Sequence, residues 1–514
     1  MNRRTFAKMS GMTAAAVMID GCSSDPMVVE TASGKVRGIA DGKSIAFRGI
    51  RYGASTAGAN RYVPAKKPES WTGVQDAFEF GQESPQPHPH TEIPEIRATI
   101  PDHPVGEDCL RLNVWTPVTT GKRPVMVWFH GGGFASGNGG YTIYQGASMA
   151  ARHDLVMVTV NHRLNSFGFL DLSAFGGGVN VGMTDCVAAL EWVRDNIERF
   201  GGDPANVTIF GQSGGGGKVS TLLAMPSAKG LFHKAIVQSG SYLRGVPKAD
   251  AQATTEKFLA AVNAKTLEDL QKLPMEQLIA ATQATQGLRL TPAIDGTILP
   301  GDPFNESAPA ISADVPLLTG NTETEVTFFP ATGLEPIDAT ELLKRAKVAV
   351  PGATDAQLKE LIDVYRKGRP QAPEIDLALA LESDARFGQV VLHQAQLKSA
   401  QAAPVYRYYF KWRTPVREGK LKSLHCLEIP FVTSNVDNAK SMTGELPERY
   451  QLETKMSEAW AAFARTGDPS PAGVPKWSKF DAAARTTMVI DQNWELVNDP
   501  HGPEREALAK LKKA

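Results

Sequence analysis

Cysteine is scarce in this chain: four in 514 residues, at positions 22, 109, 186 and 426. Removing or modifying Cys22 leaves an odd three with no close pairing and no metal-type spacing, so a disulfide scaffold and a zinc module are both disfavoured. Cys109, Cys186 and Cys426 read as free thiols. An excess of either charge is also missing, since 54 Lys and Arg face 55 Asp and Glu for a net charge of −1. That balance speaks against a dedicated nucleic-acid binder, whose phosphate contacts need a basic surface. Beyond the first few tens of residues no apolar run is long enough to span a bilayer. No internal repeat and no linker composition stands out. What remains is 42% hydrophobic residues with 47 Gly and 34 Pro, a loop-rich globular chain. One domain over residues 27–514 with large insertions is the simplest organisation.

The first 26 residues differ from the rest. Arg3-Arg4-Thr5-Phe6-Ala7-Lys8 precedes a short, mildly apolar run from Met9 to Ile19, the layout of an export signal rather than a membrane span. The paired arginines with Phe6 and Lys8 resemble the twin-arginine signal by which bacteria export folded proteins. Ile19-Asp20-Gly21-Cys22 resembles a lipoprotein cleavage box, except that Asp20 stands where a small or neutral residue is usual. Export to the periplasm or cell envelope is the expectation; lipid attachment at Cys22 and no attachment both fit.

Short β-type runs at Met27–Glu30, Lys35–Arg37 and Ile45–Arg48 predict an antiparallel edge. From Val125 the pattern changes. Val125–Phe129, Leu155–Asn161, Val207–Phe210, Ala235–Gln238, Val315–Thr319 and Val405–Trp412 predict strands, the first three compact and apolar as if buried on both faces. Apolar residues at helical spacing run from Thr184 to Phe200 and stop at Gly201-Gly202-Asp203-Pro204. Strands alternating with helices indicate a mainly parallel sheet covered on both faces.

Two glycine-rich segments carry the chemistry. Gly211-Gln212-Ser213-Gly214-Gly215 follows one buried strand and opens a helix, the G-x-S-x-G context of a strained turn that presents a nucleophilic serine. A phosphate loop is the alternative, but Lys218 is not placed as G-x-x-x-x-G-K-[ST] requires. His130-Gly131-Gly132-Gly133-Phe134 follows another buried strand and matches the loop whose backbone N–H groups stabilise an oxyanion during acyl transfer. Together and in this order they point to an α/β-hydrolase fold, a central mainly parallel sheet with helices on both faces and large helical insertions. Nothing calls for a cofactor or a metal ion.

Further segments resemble the carboxylesterase type-B family, which includes the cholinesterases. Phe47-Arg48-Gly49-Ile50-Arg51-Tyr52 is similar to its F-x-G-I-P-Y, and Glu107-Asp108-Cys109-Leu110-Arg111-Leu112-Asn113-Val114 to its E-D-C-L-x-L-N-V. Asn161–Leu170, Asn180–Gly217 and Trp460–Pro469 follow its remaining blocks, so the resemblance runs from about residue 28 to the C-terminus. It implies a serine esterase with the order Ser, Glu, His and oxyanion donors at Gly132, Gly133 and Gly214. Ser239 matches a family serine that supports the acid; a plain structural hydroxyl remains the alternative.

The base must lie late in the chain, where His393, His425 and His501 are available. His393 falls in a predicted helix from Phe387 to Ala400, and His501 in a polar tail. His425 lies in a loop after the strand Val405–Trp412, where this fold keeps catalytic groups. That loop resembles the family's G-x-x-H-x-x-E-x-P-F, with Lys422 for the glycine. Cys426 next to it is expected to point the opposite way along an extended segment. For the acid, Gly320 to Val326 resembles G-x-x-x-D-E-G and aligns Glu325 with the catalytic glutamate. Thr324 and Val326 depart from that pattern, so Glu323 stays as a second candidate.

Other departures bear on the substrate. Pro85 to Asp108 contains no Trp, Tyr or Phe, so the cation–π contact by which cholinesterases hold choline has no residue to make it. Ser84 stands where the family's disulfide partner of Cys109 is usual, so the Gly81–Gln86 loop is expected to be less restrained, and His88, His90 and His103 to lie on a mobile rim. The expected partner is a small ester, acted on by a monomer or weak oligomer. A non-catalytic adhesion-type member of the fold and an acyltransferase are the competing readings. The triple-glycine loop implies tolerance of bulky, including tertiary, alcohols.

Overall fold

The computed structural model describes residues 27–87 and 93–512. The export-signal segment, Cys22, His88 and His90 therefore lie outside the described residues.

Among the described residues, eleven strands form one sheet in the order Glu495–Asn498, Thr486–Ile490, Val405–Phe410, Leu317–Thr322, Lys234–Gln238, Gly202–Gln212, Arg123–Phe129, Val156–Val160, Arg111–Thr116, Ser44–Arg51 and Ile39–Asp41. The seven strands from Thr486–Ile490 to Val156–Val160 are parallel, and antiparallel strands flank them at both edges. The central strands Val156–Val160, Lys234–Gln238 and Leu317–Thr322 are buried at every residue. Helices cover both faces of such a sheet, which is why these strands show no polar alternation.

The strands expected at 125–129, 155–161, 207–210, 235–238, 315–319 and 405–412 all form, with ends shifted by up to five residues, the largest at the start of Gly202–Gln212. The expected antiparallel edge divides in two. Val28–Glu30 and Lys35–Arg37 form a separate small sheet with Val74–Asp76, while Ser44–Arg51 joins the edge of the main sheet.

The helix expected at 184–200 runs over Val181–Asn196, continues as a 3₁₀ turn Ile197–Phe200, and ends at Gly201 with φ 78°. One buried ion pair locks it to the sheet. Arg163, just past strand Val156–Val160, donates from Nε and Nη2 to Asp185 at 2.8 and 2.6 Å, and both residues are buried.

The region between Phe329 and Val405 adds the helices Ala339–Ala349, Asp355–Gly368 and Glu374–Ser383, which share a hydrophobic cluster. The last of these passes through a π turn, Asp384–Gly388, before helix Gln389–Ser399. Among the described residues, no helix is long and apolar enough to cross a membrane.

Candidate active site

Parallel pairing brings the C-terminal ends of four neighbouring strands together, and the candidate residues follow those ends. Gln212 is in register with Gln238, Gln238 with Gly320, and Thr322 with Phe410. Ser213, Ser239 and Glu325 lie just beyond three of these ends, and His425 on the longer loop that follows the fourth, Val405–Phe410, the side of the sheet where open α/β folds place their ligands.

Ser213 sits between strand Gly202–Gln212 and helix Gly214–Leu222 with φ 56° and ψ −124°. A side chain rarely adopts this conformation, and holding it costs about 1–3 kcal/mol. Backbone bonds fix it: the N–H of Ser213 donates to Gln238 O at 2.8 Å, and the N–H of Gly217 to Ser213 O at 2.9 Å. Gly215 is needed because a Cβ there would overlap the carbonyl of Phe129.

In the loop after the neighbouring strand Arg123–Phe129, Gly132 and Gly133 adopt φ of 88° and 66°. These left-handed conformations turn the loop after Phe129 beneath the elbow, so that Gly131, Gly132 and Gly133 line the same cavity as Ser213. Among the described residues no protein acceptor takes the N–H of Gly132 or Gly133.

His425 Nδ1 meets Glu325 Oε2 at 2.5 Å, with both side chains buried. Glu325 Oε1 accepts from Ser239 Oγ at 2.7 Å and from the N–H of Thr322 at 2.9 Å. The carboxylate is thus held from three sides. The alternative acid, Glu323, pairs instead with Arg413 at 3.0 Å. His393 is exposed on helix Gln389–Ser399, and His501 pairs with Glu504 at 3.0 Å. The structure therefore joins His425 to Glu325 and to none of the other candidates.

The Nε2 of His425 is buried and has no hydrogen-bond partner. It shares with Ser213 a cavity of about 280 Å³, without a direct hydrogen bond between the two side chains. Such contacts commonly tighten only when substrate is bound. Three rings wall the imidazole: Phe328, Phe329 and Phe387 at centroid distances of 5.3, 5.9 and 5.0 Å. Phe387 reaches it from the π turn, and Arg386 lies 3.9 Å over the Phe329 ring. Sequence reading missed this aromatic wall, because the π turn that aims Phe387 leaves no mark in apolar spacing. The Phe328-Phe329 pair just after Glu325 was the available signal. Phe328 and Phe329 also line a neighbouring hollow of about 630 Å³.

Two further expectations need correction. Cys426 does not point away from the site. The segment around it is a turn rather than an extended strand, Cys426 has φ 74°, and its thiol lines the cavity and donates to Gln212 Oε1 at 3.2 Å. Nor is the 81–87 segment loose for lack of a disulfide. Glu83 and Gln86 are buried, Gln86 donates to Glu83 at 3.1 Å and accepts from the N–H of Gly137 at 2.7 Å, and Asn138 donates to Glu83 at 3.1 Å. This buried polar network ties the segment to Gly137 and Asn138, and Cys109 stays buried beside Ser84.

Behind the pair lies a second carboxyl. Glu428 is fully buried, receives only a 3.3 Å bond from Gln238 Nε2 and a 3.5 Å contact from Tyr408, and has one oxygen without a partner. Burial, with Glu325 nearby, pushes its pKa up to about 8. The neutral carboxyl is thereby favoured, so that the buried site does not have to hold two carboxylates side by side.

Comparison with known proteins gives a consistent picture. The carboxylesterase family model matches residues 25–507. The chain is 35% identical to a para-nitrobenzyl esterase of Bacillus subtilis, over 94% of this chain and 98% of the relative. It is 32% identical to a phenmedipham hydrolase of Pseudarthrobacter oxydans, over 94% and 99%. A solved PNB esterase superposes with a TM-score of 0.82 at 33% identity, covering 94% of this chain and 99% of that one.

Proposed function

We propose the following division of labour for a chain that belongs to the carboxylesterase family and is a serine carboxylesterase. Ser213 Oγ attacks the ester carbonyl while His425 Nε2 takes its proton. The N–H groups of Gly132, Gly133 and Gly214 receive the developing oxyanion. His425 then returns the proton to the departing alcohol, and a water activated by the same imidazole releases the acid from the acyl-enzyme. Glu325, held by Ser239 and Thr322, fixes the imidazole with its proton on Nδ1 and balances the positive charge that forms.

The observation that carries this reading is the buried His425–Glu325 pair, whose free Nε2 opens on the cavity that Ser213 lines. Ser213→Ala is expected to abolish turnover of short-chain aryl esters; full activity in that variant would sink the assignment. The cavity walls Tyr141, Tyr144, Phe328 and Phe329 are apolar and aromatic, which favours esters with an aryl or benzyl-type group. The para-nitrobenzyl substrate in a relative's name is consistent with that preference.

Residues 27–514 are read as one catalytic domain, and residues 1–26 as an export signal that delivers it folded to the periplasm or cell envelope. The support for export is the Arg3-Arg4 layout and the Cys22 box. Replacing both arginines with lysine should leave the enzyme in the cytoplasm of a bacterial host; unchanged export would overturn the twin-arginine reading. Attachment at Cys22 would appear as metabolic labelling by a fatty acid that Cys22→Ser removes. The enzyme is read as a monomer or weak oligomer, which sedimentation would check.

A further inference from the structure

Lys218 stands on helix Gly214–Leu222, five residues past the elbow serine, and is fully buried. No carboxylate among the described residues pairs with it. Its Nζ donates instead to two carbonyl oxygens, those of His130 and Gly133, at 3.0 Å each, and lies 5.3 Å from the centre of the Phe134 ring. Burial without a counter-ion lowers its pKa to about 7. The titratable groups near it are the buried thiol of Cys186 and the buried imidazoles of His162 and His130. A leucine or methionine would fill this space without such a desolvation penalty, so the amine has to be explained by what it holds.

The two carbonyls bracket the Gly131-Gly132-Gly133 arc. One ends the strand side of the loop, the other begins its return, and the N–H groups of Gly132 and Gly133 lie between them. Three successive glycines have little conformational preference of their own, so an arc that must aim two N–H groups at one point needs external restraint. Gly214, four residues before Lys218 on the same helix face, makes the arrangement possible, because a Cβ there would overlap the Gly133 carbonyl.

We propose that Lys218 is a positioning residue for the oxyanion loop, a two-point clamp on His130 and Gly133 that keeps the N–H groups of Gly132 and Gly133 convergent with that of Gly214. This rests on the oxyanion assignment above. A neutral amine keeps two N–H donors, enough for both carbonyls, so the clamp survives loss of the charge.

The test is Lys218→Met, with Lys218→Gln as a variant that retains a donor should the first not fold. Thermal unfolding confirms that each is folded. For Lys218→Met, kcat on a p-nitrophenyl ester is expected to fall ~10–100-fold with KM changed less than about threefold, because misaligned donors weaken the transition state alone. Affinity for an aryl trifluoromethyl ketone, whose adduct with Ser213 bears the same oxyanion, should fall by a similar factor. Lys218→Gln should lie between wild type and Lys218→Met. A purely structural role would lower the melting midpoint while leaving kcat and ketone affinity per folded enzyme unchanged, and that result would overturn the clamp. If Ser213→Ala is inactive and Lys218→Met retains full kcat and ketone affinity, the clamp alone is wrong. If Ser213→Ala is itself active, the nucleophile assignment fails and the clamp with it.

Discussion

At Glu325 three contacts converge on one carboxylate, from His425, Ser239 and the Thr322 backbone. Glu325→Gln keeps the size but offers an amide where the imidazole Nδ1–H needs an acceptor. It is expected to reduce kcat by roughly 10³–10⁴ with little change in fold, as removal of the orienting charge does in other triads; steady-state kinetics would check this. Glu428 behaves differently. Its pKa is about 8 in the fold against 4.5 for an ordinary glutamate, so the folded state binds a proton that the unfolded state has lost. Stability from this group is therefore present below pH 4.5 and declines as pH rises to 8. Glu428→Gln removes the decline, so the variant should gain stability relative to wild type between pH 5 and pH 8, by on the order of 1 kcal/mol or more. Melting midpoints at both pH values give the answer, and a constant difference would refute it.

At the level of elements, the strands and the two glycine loops were legible because both follow from local rules: buried β-rich runs, and backbone turns that only glycine tolerates. Ser213, His425 and Glu325 could be ranked from their positions after strands. The contacts that hold them could not. Phe387 reaches His425 through a π turn, Cys426 enters the cavity through a left-handed backbone, and the Glu83–Gln86 pair is tied to Gly137, about fifty residues on in the chain. Each depends on tertiary geometry rather than on residue spacing. The splitting of the N-terminal edge has the same origin, since it is set by the long-range pairings of Lys35–Arg37 with Val74–Asp76 and of Ser44–Arg51 with Arg111–Thr116. The Arg163–Asp185 pair belongs here too, joining strand Val156–Val160 to helix Val181–Asn196. Asp185→Ala would strand a buried guanidinium and should lower unfolding stability by about 3–5 kcal/mol, read from urea denaturation.

For the whole molecule, an eleven-stranded sheet supplies a rigid platform, and substrate choice falls to the loops and helical insertions above it. The cavity around Ser213 is modest, about 280 Å³, but Phe328 and Phe329 line both it and a neighbouring hollow of about 630 Å³. Together with the triple-glycine loop this favours acceptance of bulky alcohols. A panel of acetate esters should show measurable hydrolysis of some tertiary-alcohol members; good activity on primary esters with none on tertiary ones would count against it. The segment from Pro85 to Asp108 carries no Trp, Tyr or Phe, so any cation–π contact with a substrate would have to come from the rings that line the cavity, such as Tyr141 and Phe328.

The central claim is that Ser213 forms the acyl-enzyme. The most direct measurement is labelling of the intact enzyme with a fluorophosphonate, followed by mass spectrometry of its peptides. One phosphonyl group per chain is expected on the peptide carrying Gly211-Gln212-Ser213, with loss of activity in step with labelling. Labelling on another residue, or full labelling of Ser213→Ala, would contradict it.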